Sequence, residues 1–447
     1  MKRTFAIIFS ALILTVSLAA CQTTGNTSST EAATETQAVA STQASATQTT
    51  ATEAKSGDTK KQTQDIVTTA ANVTSNGAID ASSLFTERDL QQNADLSEAV
   101  EYDLSSNNTI SITKAGVYVI SGSAENATVT VEAGDNDKVQ LVLNGVTVTN
   151  TSAPVIYVKN ADKVFVTTAK DTTNSLSVTG SFTADGDTNT DAVIFSKDDL
   201  VLNGLGTLTI NSTDNGVSCK DDLKITGGTI EITCTSDALE ANESIAVADG
   251  TITVKSNKDA LHAENDEDNT TGYIYICGGT FNLTTASDGI QGTTVVQIDG
   301  GTITANSSEG IEATMVQING GTANITASDD GINASNKSKS YSVSIEINGG
   351  EVNVDMGQGD TDALDSNGNL YINGGTVNIT ANSPFDYDGE GKLNGGTVTV
   401  NGSQVTELTN QMMGGGMGGP GGMGGNMGGN PGGNMGGMGG PGGGFTR

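Results

Sequence analysis

The sequence contains no tryptophan, only 4% of it is aromatic, and His262 is its single histidine. It therefore has few side chains for a platform of exposed rings, and no Ser-His-Asp or Cys-His nucleophile set can be assembled. Basic residues are also scarce, with 20 Lys and Arg against 52 Asp and Glu, a formal charge of −32 that excludes nucleic acid as a partner. The four cysteines show no Cys/His spacing of a zinc site. Cys219 and Cys234 fall on inward strand positions and are expected as buried thiols, with a disulfide between them as the alternative; Cys277 is read as a corner residue. Helical periodicity is missing too: no segment offers a convincing apolar run at i, i+3, i+4.

What the chain has instead is a repeat. A Gly-Gly-Thr signature or a degenerate form closes on Thr207, Thr229, Thr251, Thr280, Thr302, Thr322, Thr376 and Thr397, with Glu351 standing in once. Most spacings lie between 20 and 25 residues and two are 29, as expected for coils with one loop insertion each. Such a period signals a solenoid, because no unit buries its apolar face alone. Apolar residues alternate around each signature, as in Leu223, Ile225, Ile230, Ile232 and Val296, Ile298, Ile303. Period two in short Val/Ile/Thr segments bounded by Gly pairs predicts strands. The expected fold is all-β, a single-stranded parallel β-helix with coils stacked about 4.7–4.9 Å apart.

At the N-terminus, Lys2 and Arg3 precede an apolar run, Phe5 to Leu18, ending in Leu18-Ala19-Ala20-Cys21. This reads as a lipoprotein signal over residues 1–20, with lipidation of Cys21 anchoring the chain to the extracellular side of a bacterial membrane. Residues 21–83 are Ser/Thr/Ala-rich and are expected to be a disordered tether, and 411–447 a disordered Gly/Met-rich tail. The folded domain is placed at 84–410. Phe85 through Tyr102 is assigned as a cap over the first coil, and Asn144-Gly145 as a turn between two strands.

From Asp191 onward, acids enter in register. One column holds Asp214 with Asn215, then Asp237, Asp259, Asp288, Glu309, Asp330 and Asp362; three residues on, a second holds Glu240, His262, Gln291, Glu312, Asn333 and Asp365. Both are expected along one outer edge. Carboxylates stacked about 5 Å apart repel by roughly 1 kcal/mol in water and more at a protein surface, and a divalent cation reverses that sign. Carboxylate and amide oxygens are what Ca²⁺ takes. Two loops add to the case: Asp185, Asp187, Asn189 and Asp191 at alternate positions, and the cluster Glu264, Asp266, Glu267 and Asp268. Metal ligands are therefore expected at Asp185, Asp187, Asn189, Asp191 and the first column, and ligand contacts at Glu240, Glu264, Asp266, Glu312 and Asp365. Local capping by Asx side chains is the competing reading of the column.

Phe85-Thr-Glu-Arg-Asp-Leu90, Gly116-Val-Tyr-Val-Ile-Ser-Gly122, Val139-Gln-Leu-Val-Leu-Asn-Gly-Val146, the Ile-Asn-Gly-Gly-Thr and Asp-Asp-Gly-Ile rungs and the Gly/Met-rich end resemble a family of clostridial secreted carbohydrate-binding proteins. The resemblance implies a right-handed parallel β-helix similar to polysaccharide lyases, calcium at in-register acids such as Asp237, Asp259 and Asp288, and attachment to cellulose and acidic plant polysaccharide without lyase activity. The lack of Trp argues against cellulose, whereas the acidic chain can meet an acidic glycan such as polygalacturonate through shared Ca²⁺. The expected function is calcium-dependent polysaccharide binding by a monomeric surface lipoprotein without catalysis. One alternative is a uronate lyase with Lys197, Lys220, Lys255 or Lys258 as base; the other is a structural adhesin.

Overall fold

The repeat becomes three stacked columns of parallel strands. In the computed structural model, which describes residues 78–265, 267–357 and 361–410, one coil contributes Asn215–Cys219, Asp222–Ile225 and Thr229–Thr233. The next contributes Leu239–Ala241, Ser244–Val247 and Thr251–Lys255, each pairing in parallel with its counterpart. The chain is an all-β solenoid with one strand per coil on each of three faces. Cys21, the signal, most of the tether, Asp266 and the tail lie outside the described residues.

One face is a separate 12-stranded sheet, from Thr109–Ile112 to Ser383–Tyr387. The other two belong to one 24-stranded sheet, joined where Lys138–Asn150 pairs with both Lys163–Thr168 and Thr173–Val178. That strand corrects the expected Asn144-Gly145 turn. The chain does not reverse there; Gly145, at φ +75°, is the extra residue of a bulge that bends one long strand round a corner.

Inward positions carry the alternating apolar residues, which stack by type: Val217, Leu239, Leu261, Ile290, Ile311, Ile332 and Leu364 are all fully buried. Burying each such side chain contributes roughly 1.5–3 kcal/mol. The Gly-Gly pairs turn the corner between the two joined faces. A Cβ on Gly300 would come within 2.5 Å of the Cys277 carbonyl, and Gly301 sits at φ +89°. Cys219, Cys234 and Cys277 are buried thiols, and Cys277, at the corner just ahead of Gly278-Gly279, packs in an apolar cluster with Tyr275.

The cap assigned to Phe85–Tyr102 is a strap instead. Residues 78–92 run along the outside of the face that contains Lys163–Thr168. Ile79 N–H donates to Gln297 Oε1 at 2.7 Å, the Phe85 ring lies 6.5 Å from that of Tyr275, and Arg88 sits over Phe165. Asp89, fully buried, lies between Lys163 (3.5 Å) and Lys224 (3.8 Å). The strap's own apolar Ile79 and Ala81 are buried against the face, so packing begins ahead of the expected boundary at Leu84. Tyr102 belongs to Val100–Asp103, the first rung of the same face. At the other end the hairpin Thr397–Val400 and Ser403–Val405 closes the solenoid, with Leu408 packed against the core.

The remaining face, from Thr207–Asn211 to Thr397–Val400, keeps its outward positions polar and nearly uncharged. The signature threonines form its first column. The second reads Thr209, Glu231, Thr253, Asn282, Thr304, Asn324, Asn353, Asn378 and Thr399 in register.

Candidate functional site

The 12-stranded face carries the acids. Its strands are short, as in Leu261–Ala263 and Ile290–Gly292, because each alternates one outward residue between two inward ones and then turns a corner. The outward residues pair in register as Ser218, Glu240, His262, Gln291, Glu312, Asn333, Asp365 and Asp386. The leading acids lie just before each strand.

Those leading acids are not exposed, as the two-column reading had them. Asp237, Asp259 and Asp288 are 5–7% exposed, because one carboxylate oxygen of each of the first two serves the backbone. Asp259 N–H donates to Asp237 Oδ1 at 2.9 Å and Asp288 N–H to Asp259 Oδ1 at 2.8 Å. Asn215 does the same for Asp237, and Asp330 for Asp362. Satisfying a buried N–H in this way is structural work, which an Asn performs as well as an Asp.

The ladder changes at Glu309, whose longer side chain enters the column. Carboxylate oxygens of Asp288, Glu309 and Glu312 lie within 4.8 Å of one another. Burial first, then the charges of Asp259, Glu309 and Glu312, pushes Asp288 up to about 8, while burial and Glu312 push Glu309 to about 7. Partial compensation comes from Lys337, 2.7 Å from Glu312 Oε2, and from Asn333, which donates to Glu309 Oε2 at 3.1 Å. An all-oxygen set with this much unneutralised charge fits a hard divalent cation such as Ca²⁺.

One coil earlier the neighbourhood supplies its own cation. His262 Nδ1 faces Asp237 Oδ2 at 3.5 Å and Asp259 Oδ2 at 3.7 Å, and its Nε2 meets Glu264 Oε2 at 3.0 Å. Burial alone would lower its pKa; hydrogen bonding with Asp237 and Glu264 and the charges of Asp237 and Asp259 outweigh that and raise it to about 10. The Nδ1 contacts are long for hydrogen bonds, so the attraction there is mainly coulombic. An imidazolium and a Ca²⁺ compete for the same carboxylates, which makes Asp237 and Asp259 poorer calcium ligands than Asp288, Glu309 and Glu312.

The other expected residues divide. Asp185 is held by Lys159 at 2.6 Å and Tyr157 at 3.2 Å, and Asp187 and Asn189 share its loop. Asn189 donates to Asp191, whose carboxyl burial raises to about 6. Asp214 lies before the column, its N–H bonded to Ser212. Glu240 accepts from Asn215 at 2.8 Å and pairs with Lys220 at 3.3 Å. Burial and neighbouring acids raise Asp330 to about 6 and Asp365 to about 7. Sequence reasoning missed Asp386 and Lys337. Ser383-Pro-Phe385-Asp386 repeats the pattern of Asp362-Ala-Leu364-Asp365, so its signal was available; Lys337 comes from a loop insertion with no register.

Of the candidate bases, Lys255 points from the threonine face, away from the acids, and Lys258 is 4.0 Å from Asp237. Lys197 lines a groove of about 620 Å³ with Tyr157, Lys159 and Asp185.

A parallel β-solenoid with one acid-lined face defines the general class. Residues 106–363 and 314–413 match the family described as carbohydrate-binding domain-containing protein, and the chain belongs to that family. A carbohydrate-binding domain-containing protein of Acetivibrio thermocellus is 46% identical over 185 residues, 41% of this chain. The match spans 65% of that relative's length. Among solved structures, the gadolinium derivative of a polysaccharide lyase-like protein from C. thermocellum is 29% identical and covers 48% of this chain and 92% of its own, at a TM-score of 0.45.

Proposed function

We propose that this protein binds acidic polysaccharide, such as polygalacturonate, through calcium held on the acidic face, and does so without catalysis. The observation that carries the reading is the Asp288–Glu309–Glu312 cluster, three buried or half-buried carboxylates within 4.8 Å. Bound there, Ca²⁺ would neutralise the cluster and leave coordination positions for sugar carboxylates. Asp288, Glu309 and Glu312 would hold it, while Gln291, which meets both Lys337 and Asp259, would fix the flank. The acidic surface repels a polyuronate until that cation is present. A right-handed winding, attachment to a bacterial surface through lipidated Cys21 and a monomeric state belong to the same reading.

The absence of catalysis in this reading rests on the lysines. Lys220 is bound to Glu240, and Lys258 lies beside Asp237. Retention of the purified protein on immobilised polygalacturonate, with calcium and with excess chelator, tests the binding. Retention only with calcium is expected, and equal retention in chelator would refute the metal bridge. Growth of unsaturated-product absorbance in the same mixture, abolished by Lys197→Ala, would instead establish a lyase.

A further inference from the structure

We propose that His262, Asp237 and Asp259 form a second metal site, separate from the Asp288–Glu309–Glu312 cluster, for a nitrogen-seeking divalent ion of the zinc class. The proposal does not depend on carbohydrate binding, and it assigns a different ion from calcium to a different set of donors.

The three side chains come from two successive coils. Asp237 and Asp259 precede their strands, and each uses Oδ1 to accept a backbone N–H of the next coil. Their Oδ2 atoms face one gap, and His262, the outward residue of Leu261–Ala263, turns Nδ1 into it. That nitrogen is buried and has no hydrogen-bond partner among the described residues. It stands 3.5 Å from Asp237 Oδ2 and 3.7 Å from Asp259 Oδ2, and the three donor atoms lie within 4.8 Å of one another. Such separations are too long for good hydrogen bonds. They approach the edge of a tetrahedral site, about 3.4 Å when each ligand is about 2.1 Å from the ion.

The surroundings support the same assignment. On the far side of the ring, Nε2 meets Glu264 Oε2 at 3.0 Å. A carboxylate there fixes the tautomer that presents Nδ1 as a donor and raises its basicity, as the outer partner of a metal-bound His does. Gln291, 2.7 Å from Asp259 Oδ2, steadies a second donor. Lys258 is 4.0 Å from Asp237 Oδ2, and its side chain, 62% exposed, is free to turn to solvent. The donors of the Asp288 cluster are all oxygen, which suits calcium, whereas here one of three is an imidazole, which suits zinc and its first-row neighbours. The proton held between ring and carboxylates in the metal-free protein leaves as the ion enters. Three protein donors leave a tetrahedral ion one further position, which water fills.

The test uses the purified, metal-stripped protein, titrated with Zn²⁺ in a calorimeter and with Co²⁺ by visible absorption. Saturable zinc binding and the visible band of tetrahedral cobalt are expected. His262→Gln should weaken zinc at this site by about tenfold or more and abolish the band. Asp237→Asn, which keeps the oxygen that caps Asp259, should do the same, and it carries the test should the first variant misfold. Glu309→Gln should leave both readouts unchanged, and calcium at a concentration equal to that of cobalt should leave the band in place. Zinc isotherms identical in the unaltered protein and the folded variants, a cobalt spectrum without the band, or displacement of cobalt by equal calcium would overturn the proposal. Absence of calcium binding with zinc binding intact would count against the acidic-polysaccharide reading and leave this site standing.

Discussion

The acidic and threonine faces are built by the same coils and the same alternation, yet they use polar side chains in opposite ways. On the acidic face the Asp237 and Asp259 carboxylates are buried and turned back on the fold, each accepting an N–H of the next coil, as Asp237 does for Asp259. On the threonine face Thr253, Asn282 and Thr304 stand exposed. The difference comes from position. A residue just ahead of a three-residue strand sits beside the next coil's free N–H, whereas one within a five-residue strand finds every backbone group already paired. Polar residues of the first kind hold the solenoid together; of the second, Thr253, Asn282 and Thr304 stand open to solvent, while Asn324, Asn353 and Asn378 link to one another from coil to coil.

The largest effect that would sharpen this contrast is at Asp259. Asp259→Ala leaves the buried Asp288 N–H without its acceptor, and a loss of about 1–3 kcal/mol is expected in urea unfolding. Asp259→Asn keeps the amide oxygen, as Asn215 does naturally, and should lose much less. If the two variants unfold alike, the carboxylates do not cap the coils.

Next in size is a pH effect confined to the acidic face. Asp288, Glu309 and Asp365 have folded-state pKa values of about 8, 7 and 7, above their unfolded values. The folded state therefore binds more protons than the unfolded state across this range, and stability must fall as pH rises from about 4 through 8. In chelator, the protein should melt higher at about pH 5.5 than at about pH 8.5, and calcium should flatten the difference. His262 acts in the same direction: its raised pKa of about 10 gives stability that is complete below its ordinary value near 6.5 and lost as pH rises through about 10. A melting temperature that climbs with pH in chelator would contradict both assignments.

A smaller change is expected at Asp288→Asn without metal, where removing one of three clustered charges should raise the melting temperature while abolishing its response to calcium. The smallest is on the threonine face, where Thr253→Ala should change stability by no more than about 0.5 kcal/mol. A larger loss would mean that the exposed threonines also support the fold.

Much of this architecture was legible in the sequence. Gly-Gly-Thr spacing and period-two apolar residues specify coils and strands directly, because a parallel stack repeats the same local chemistry at every rung. The acid register was equally plain, since Asp237, Asp259 and Asp288 precede equivalent strands. What could not be read was how deeply they are buried, because that depends on a hydrogen bond to a residue 22 or 29 positions away. The strap was hidden for a similar reason. Asp89 meets Lys163 and Lys224 only after the intervening coils have formed, and nothing local distinguishes a strap from an end cap. Asn144-Gly145 misled because a Gly with positive φ serves a bulge as readily as a hairpin.

The central claim is that Asp288, Glu309 and Glu312 hold calcium. It is tested most directly by titrating calcium into the purified, metal-stripped protein in a calorimeter, alongside Glu309→Gln. The account predicts saturable binding in the unaltered protein, with at least one site lost or weakened about tenfold in the variant. Identical isotherms for the two proteins, or no binding to either, would contradict it.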